Sequence, residues 1–197
     1  MEIIEYLDKA FGGAPLVPKQ DPAVMEEAAA LTRLGKELHR SIRFVTFRWG
    51  LRGLARLSKN DEKKLRDLLK NSNDAEQLVN FYEGYDNQSI PEAIYEEHLE
   101  KLNKAFRDHE QRLSDGRQFL TGDDITMADV IWAMKTLRLS ECDYPFEQCF
   151  PRYFEWFQRI SQRPSFKEGV MGKHRLMSST FRAKAKLEHL LGIGLKR

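Results

Sequence analysis

The side chains with chemistry to offer are few and scattered. Five histidines stand at positions 39, 98, 109, 174 and 189. None has the neighbours that would make a zinc set, a His-Glu-x-x-His helix or a Ser/His/Asp constellation. His109 lies near an apolar face, where a hydrogen-bonded core histidine is expected rather than a base. Cys142 and Cys149 lack ligand-like spacing, so two free thiols are expected; a redox pair is the other reading. No glycine-rich phosphate loop occurs, and nothing selects a catalytic pair among the 30 acidic residues. No catalytic residue and no metal ligand is therefore assigned. What remains is a set of groups suited to binding. Arg33, Arg40, Phe44, Phe47, Arg48 and Leu51 share one helical face and mix guanidinium groups with aromatic rings.

The elements that must hold these groups are helices. Asp21-Pro22 reads as an N-cap followed by proline at the first helical position, opening a long helix. Its other face, Leu31, Leu38, Ile42, Val45 and Trp49, has the spacing of a buried stripe, with Gly35 allowing close approach. Residues 61–70 and 74–83 are expected as short charged helices, and 84–88 as a loop. Ser89 to Glu92 reads as a capping box, followed by a buried stripe of Tyr95, Leu99, Leu102, Phe106 and Leu113, with a stop at Asp115-Gly116. The strongest local signal is Gly122 to Val130. Thr126 is set to cap a helix, and the Asp129 carboxylate can reach back to the Thr126 N–H in a reciprocal box. Ile125 and Val130 form a hydrophobic staple. The apolar residues that follow predict a helix through the middle of the domain. Pro151 opens the next helix, Arg163-Pro164 halts it, and Ser165 to Glu168 reads as a third capping box.

These signals fall in a familiar order. Phe119-Leu120-Thr121-Gly122 followed by Ile125-Thr126-Met127-Ala128-Asp129-Val130 resembles the signature of the C-terminal helical domain of cytosolic glutathione transferases. Phe150-Pro151-Arg152-Tyr153-Phe154-Glu155-Trp156 and Arg163-Pro164-Ser165-Phe166 resemble that family's next helix and its Arg-Pro stop. The resemblance implies an all-α helical bundle over residues 21–197. It makes residues 1–20, with Ile3, Tyr6 and Leu7 on one side, a stop at Gly12-Gly13 and a linker at Pro15 to Pro18, the remnant of the last helix of a thioredoxin-like domain. The acidic-Ser pair that grips glutathione would fall before Met1. The chain is thus expected to lack the thioredoxin-like domain, to bind no cofactor alone, and to handle glutathione only if such a domain is supplied. Residues 58–88 are expected as an insertion. This length, with the basic tail, is similar to a branch related to chlorohydroquinone reductive dehalogenases and ganglioside-induced differentiation-associated proteins.

In that family the helix carrying Arg33, Arg40, Phe44, Phe47 and Arg48 lines one wall of the electrophile pocket. The resemblance therefore implies that these five bind a small anionic or aromatic electrophile such as a phenolate or carboxylate. The competing reading is a solvated basic face whose aromatics pack on other helices. Composition bounds the rest. Over 197 residues, 41% are hydrophobic and 31% charged, as in a globular domain. No apolar run is long enough to span a bilayer, and no signal peptide opens the chain, so a cytoplasmic protein is expected. The net charge of +2 conceals basic stretches at 38–60 and 171–197 around an acidic middle. Such patches attract anions, but no nucleic-acid motif accompanies them. The tail, alternating cationic and apolar residues, reads as a basic amphipathic helix that packs on its own domain, covers a pocket or meets anionic lipid. The alternative to a transferase-like role is a non-catalytic helical module for protein interaction or homodimerisation, or one held at a membrane surface by that tail.

Overall fold

A computed structural model describes residues 15–51, 58–68 and 73–195, with Tyr6, Lys9 and Ala10. The expected roles of Ile3, Leu7, Gly12-Gly13 and positions 69 and 70 lie outside the described residues. Among the described residues every regular element is helical, and an isolated antiparallel bridge pairs Phe119 with Gly122. The fold is the expected all-α bundle.

Asp21 caps helix α1 (Pro22–Glu37), its Oδ1 accepting from Ala23 N at 3.0 Å and Val24 N at 3.2 Å. The single long helix expected from the apolar spacing is instead broken. Leu38 adopts φ −80°, ψ 2°, ending α1, and helix α2 (His39–Val45) starts after it. α1 packs chiefly on α6 and α2 on α5, so the break lets one amphipathic run serve two partners. The predicted stripe is buried across it, from Leu31 to Trp49. Gly35 meets α6 so closely that a Cβ would lie 2.7 Å from Ile131 Cγ2. α2 then widens into a π turn (Thr46–Gly50), closed by a 2.7 Å bond from Leu51 N to Thr46 O.

Helices α3 (Lys59–Leu68) and α4 (Asn73–Asp86) follow. α4 runs through Gly84, which was expected in a loop, because Gly84 packs on Ile90. Helix α5 (Glu92–Arg112) starts from Pro91 without the expected Ser89–Glu92 box. Glu92 is taken by Arg48, at 2.9 Å, and the Ser89 hydroxyl donates to Gly84 O. A 3₁₀ turn (Leu113–Asp115) ends at Gly116, whose φ of +88° explains the glycine.

Helix α6 (Met127–Ser140) is the centre. Thr126 and Asp129 form the reciprocal capping box. Asp129 is 0% exposed, and its carboxylate accepts from four donors: Thr126 N (2.8 Å), Thr126 Oγ1 (3.0 Å), Leu120 N (2.9 Å) and Trp156 Nε1 (2.9 Å). One residue thus ties the start of α6 to the 119–122 turn and to α8. Trp132, fully buried, donates to Leu31 O on α1 at 3.1 Å. α6 is not covered on every side as its composition suggested. Val130, the helical half of the expected staple, and Met134 are 39% and 44% exposed.

The short α7 (Phe146–Cys149) leads to α8 (Pro151–Ser161), which buries Tyr153, Trp156, Phe157 and Ile160. Helix α9 (Pro164–Phe166) starts at the proline, so the third capping box does not form. A second π turn (Lys167–Met171) then passes into α10 (Gly172–Leu190). α10 lies against both π turns.

Candidate functional site

The best-formed cavity among the described residues lies where the two π turns face each other across α6. It encloses about 610 Å³, within the range of small-molecule sites. The first π turn supplies Thr46 and Gly50, with Leu51 just beyond it. α6 and the residues after it supply Met134, Leu137, Arg138, Glu141 and Cys142. The second π turn gives Gly169 and Val170, and α10 gives Phe181. π turns are uncommon and occur often at functional sites. Here each widens a helix where it meets the cavity.

Local bonds hold these walls. The Thr46 hydroxyl is spent on its own helix, donating to Ile42 O at 2.8 Å and Arg43 O at 3.2 Å. Gly50 is required by space: a methyl there would overlap Cys142 Sγ. Lys184 on α10 donates to Gly50 O at 3.3 Å and pairs with Glu188 at 2.7 Å, pinning α10 to the first π turn.

Few polar groups face the cavity. Burial pushes the Cys142 thiol up to about 12, with Glu141 adding to the effect, and the thiol donates weakly to Arg138 O at 3.5 Å. At neutral pH it is a neutral wall group, not a nucleophile. Arg138 is half-buried and has no ion-pair partner among the described residues. It is also close enough to matter to its neighbours. Burial, then Arg138, lowers the Lys135 pKa. Burial, then Lys135, Arg43 and Arg138, lowers that of His39. The cavity is therefore a largely apolar slot whose charged wall groups are Arg138 and Glu141, suited to an apolar body carrying a polar or anionic group that meets Arg138. Among the described residues no cluster of three His, Cys, Asp or Glu side chains is placed to hold a metal.

The five residues singled out in the sequence lie elsewhere. Phe44 and Phe47 are 4% and 5% exposed and belong to an aromatic cluster between α2, α4 and α5. Phe44 meets Phe81 at 4.7 Å and the His98 ring at 4.1 Å, while Phe47 packs on Phe81, Tyr82 and Tyr85. Arg40 lies over the Phe44 ring at 5.5 Å. Arg48 sits 5.8 Å from the Trp49 and Tyr95 rings and bonds Glu92. Arg33 is exposed on α1. The structure thus joins four of the five around one cluster, outside the cavity walls. The sequence signal that marks the cavity is the stripe Met134, Arg138 and Cys142, spaced by four along and just beyond α6.

His109 is buried at 1% exposure, edge-on to Trp132 and stacked on Tyr153. It is a core residue as expected. Contrary to expectation, neither ring nitrogen has a hydrogen-bond partner among the described residues. Burial alone drives its pKa down to about 3, so it is held neutral.

An all-helical bundle built on a capped central helix, with Asp129 at its hub, is similar in fold to the C-terminal helical domain of the glutathione transferases. Residues 92–159 match the family model for the glutathione S-transferase C-terminal domain. Two solved structures share the fold. One is the β-etherase LigF from Sphingobium sp. strain SYK-6, at 20% identity and TM-score 0.62, covering 83% of this chain and 69% of that one. The other is glutathione transferase F7 from Populus trichocarpa, at 19% identity and TM-score 0.51, covering 90% of this chain and 66% of that one. The chain therefore spans about two thirds of the length of either. No curated protein matches the sequence significantly.

Proposed function

We propose that this chain is the helical half of a glutathione transferase-like protein and that the cavity between its π turns receives the electrophilic substrate, a small aromatic carrying an anionic group. The observation that carries this reading is Arg138, a cation without an ion-pair partner among the described residues, set in walls made of Leu51, Met134, Leu137, Val170 and Phe181. Arg40, Phe44, Phe47 and Arg48 support the site from behind, by fixing α2 and the first π turn, while Arg33 stands apart on α1. Thiol activation is a separate task. Cys142, Tyr144 and Tyr153 all have pKa values raised by burial, the wrong direction for stabilising a thiolate at neutral pH. A thioredoxin-like domain would supply that step, and the exposed Val130 and Met134 give it an apolar surface on α6 against which to dock.

The test is an NMR titration of the chain with a chlorinated phenol. Methyl signals of Leu137, Met134 and Val170 should shift, while those of Val79 in the aromatic cluster stay fixed. Shifts confined to the 73–86 helix, or none, overturn the pocket assignment. The chain alone is expected not to be retained on immobilised glutathione and not to turn over a chloronitrobenzene with it. Turnover above the buffer rate would sink the division of labour.

A further inference from the structure

The far end of α10 has a construction that the pocket does not explain. Its inner face holds Ser178 and Ala185, at 2% and 4% exposure, and Phe181 and Lys184 reach the cavity and Gly50. The outer face of its last turns changes character. Leu187 is 57% exposed, Leu190 83%, Leu191 65% and Ile193 44%. These are half of the large apolar residues exposed anywhere among the described residues, gathered within seven positions.

This tip is held in shape. Gly192 takes φ +72°, the left-handed conformation that ends a helix with a glycine. Its N–H donates to His189 O, and those of Ile193 and Gly194 both donate to Glu188 O, each at 3.0 Å. Gly194 comes so close to His189 that a Cβ would lie 2.8 Å from its backbone. Leu195 then returns to the core at 3% exposure. The chain is tied down on both sides of the apolar residues, so their exposure belongs to the fold.

Along α10 the charge near the tip is chiefly positive, while Asp143 and Glu147 line a second cavity together with Arg182 and Lys186. Arg182 and Lys186 are exposed on the turns above it. Glu188 is the one acidic residue in α10 by sequence, and its side chain, only 13% exposed, is paired with Lys184. At 1.5 Å per residue, Lys186 stands about 6 Å up the helix axis from Leu190, and Arg182 about 12 Å. Amphipathic elements bury their apolar side chains about 5–10 Å into the boundary between headgroups and acyl chains. That spacing would put the two cations among lipid phosphates while the leucines enter the apolar layer. A second copy of the chain fits less well: four side chains fall far short of the roughly 800 Å² that each partner buries in a stable dimer.

We infer that the Leu187–Ile193 tip of α10, with Arg182 and Lys186 behind it, docks on an anionic lipid surface. One such anchor gives reversible attachment only. It leaves the cavity free, since Phe181 and Lys184 face the other way.

The test is co-sedimentation of the full chain with phosphatidylcholine vesicles made with or without phosphatidylglycerol. Binding is expected to the anionic vesicles alone and to weaken as salt is raised. The double substitution Leu190→Ser, Leu191→Ser should reduce it about tenfold, roughly 1.4 kcal/mol. Arg182→Ala and Lys186→Ala should each reduce it about fivefold, near 1 kcal/mol for each basic residue at an anionic surface. All four positions are exposed, so melting curves should match the parent chain. Equal binding by the leucine double variant, equal binding to neutral vesicles, or no vesicle binding at all would overturn the inference. So would self-association without vesicle binding that the double variant abolishes. Chlorinated-phenol binding in the cavity is unaffected by these substitutions, so failure here leaves the pocket reading to its own test.

Discussion

Asp129 and Arg138 sit nine residues apart on the same helix and are treated in opposite ways. Asp129 is sealed from water and met by four donors from three parts of the chain. Arg138 is half-buried beside a cavity, with no ion-pair partner among the described residues and with other cations near it. A buried polar group whose bonds are complete specifies a fold. One whose bonds are left open has capacity for something that arrives later. The first end of α6 therefore serves architecture, and the second end is the one proposed to serve binding.

That contrast is broken most severely at its saturated side. Asp129→Ala strands buried donors at Thr126, Leu120 and Trp156 and should cost about 4 kcal/mol in denaturant unfolding. A cost below about 1 kcal/mol would show that the hub is not needed.

His109 gives the next effect, through pH. Its folded pKa, near 3, lies below the ordinary 6.5, so its neutral form is the one the fold accepts. Its contribution is complete above pH 6.5 and is lost as pH falls toward 3, at about 1.4 kcal/mol per pH unit. His98, lowered to about 4 chiefly by burial, adds to the same acid limb. His109→Phe should flatten part of that limb in melting curves taken between pH 7 and 4. An unchanged slope would contradict the assignment.

Gly50→Ala should cost about 1–3 kcal/mol by overpacking against Cys142. Cys142→Ala should relieve most of it, a coupling that a double-mutant cycle reads directly. Additive costs would mean that the two do not touch.

The smallest effect sharpens the open side. Arg138→Gln should leave stability within about 0.5 kcal/mol yet weaken an aromatic carboxylate about tenfold, near 1.4 kcal/mol. A neutral analogue of the same shape should bind equally to both forms, as isothermal titration would show.

The two ends of α6 also differ in how far they can be read from the chain. The capping box is local: Thr126 and Asp129 are three residues apart, and their chemistry is visible in the sequence. Trp156, the fourth donor, is 27 residues away, and no spacing rule connects it. Leu34 to Ile42 keeps its apolar rhythm through Leu38, and Gly35 is accounted for by its close approach to Ile131, so nothing at Leu38 itself marks the break between α1 and α2. Ser89 to Glu92 has the residues of a capping box, yet a distant arginine takes the glutamate. The Phe44 and Phe47 face shows the same limit. Aromatics next to arginines suit a pocket or a core equally, and the choice is made by Phe81, Tyr82 and Tyr85 arriving from α4. The cavity itself depends on four separate segments and is a property of the assembled bundle.

The second π turn has a consequence for how this architecture tolerates change in length. A π turn takes up one residue more than an α turn does. Removing a single residue from Lys167–Met171 would let the backbone settle into ordinary α-helix with everything downstream nearly in phase. The same deletion in the α-helical turns between there and Phe181 would rotate everything beyond it by about 100°. Phe181 would then swing away from the hollow it now closes, and Lys184 would lose Gly50. The extra residue is slack at that point, and beyond it the shape of the hollow is set by a count of residues as much as by their kinds.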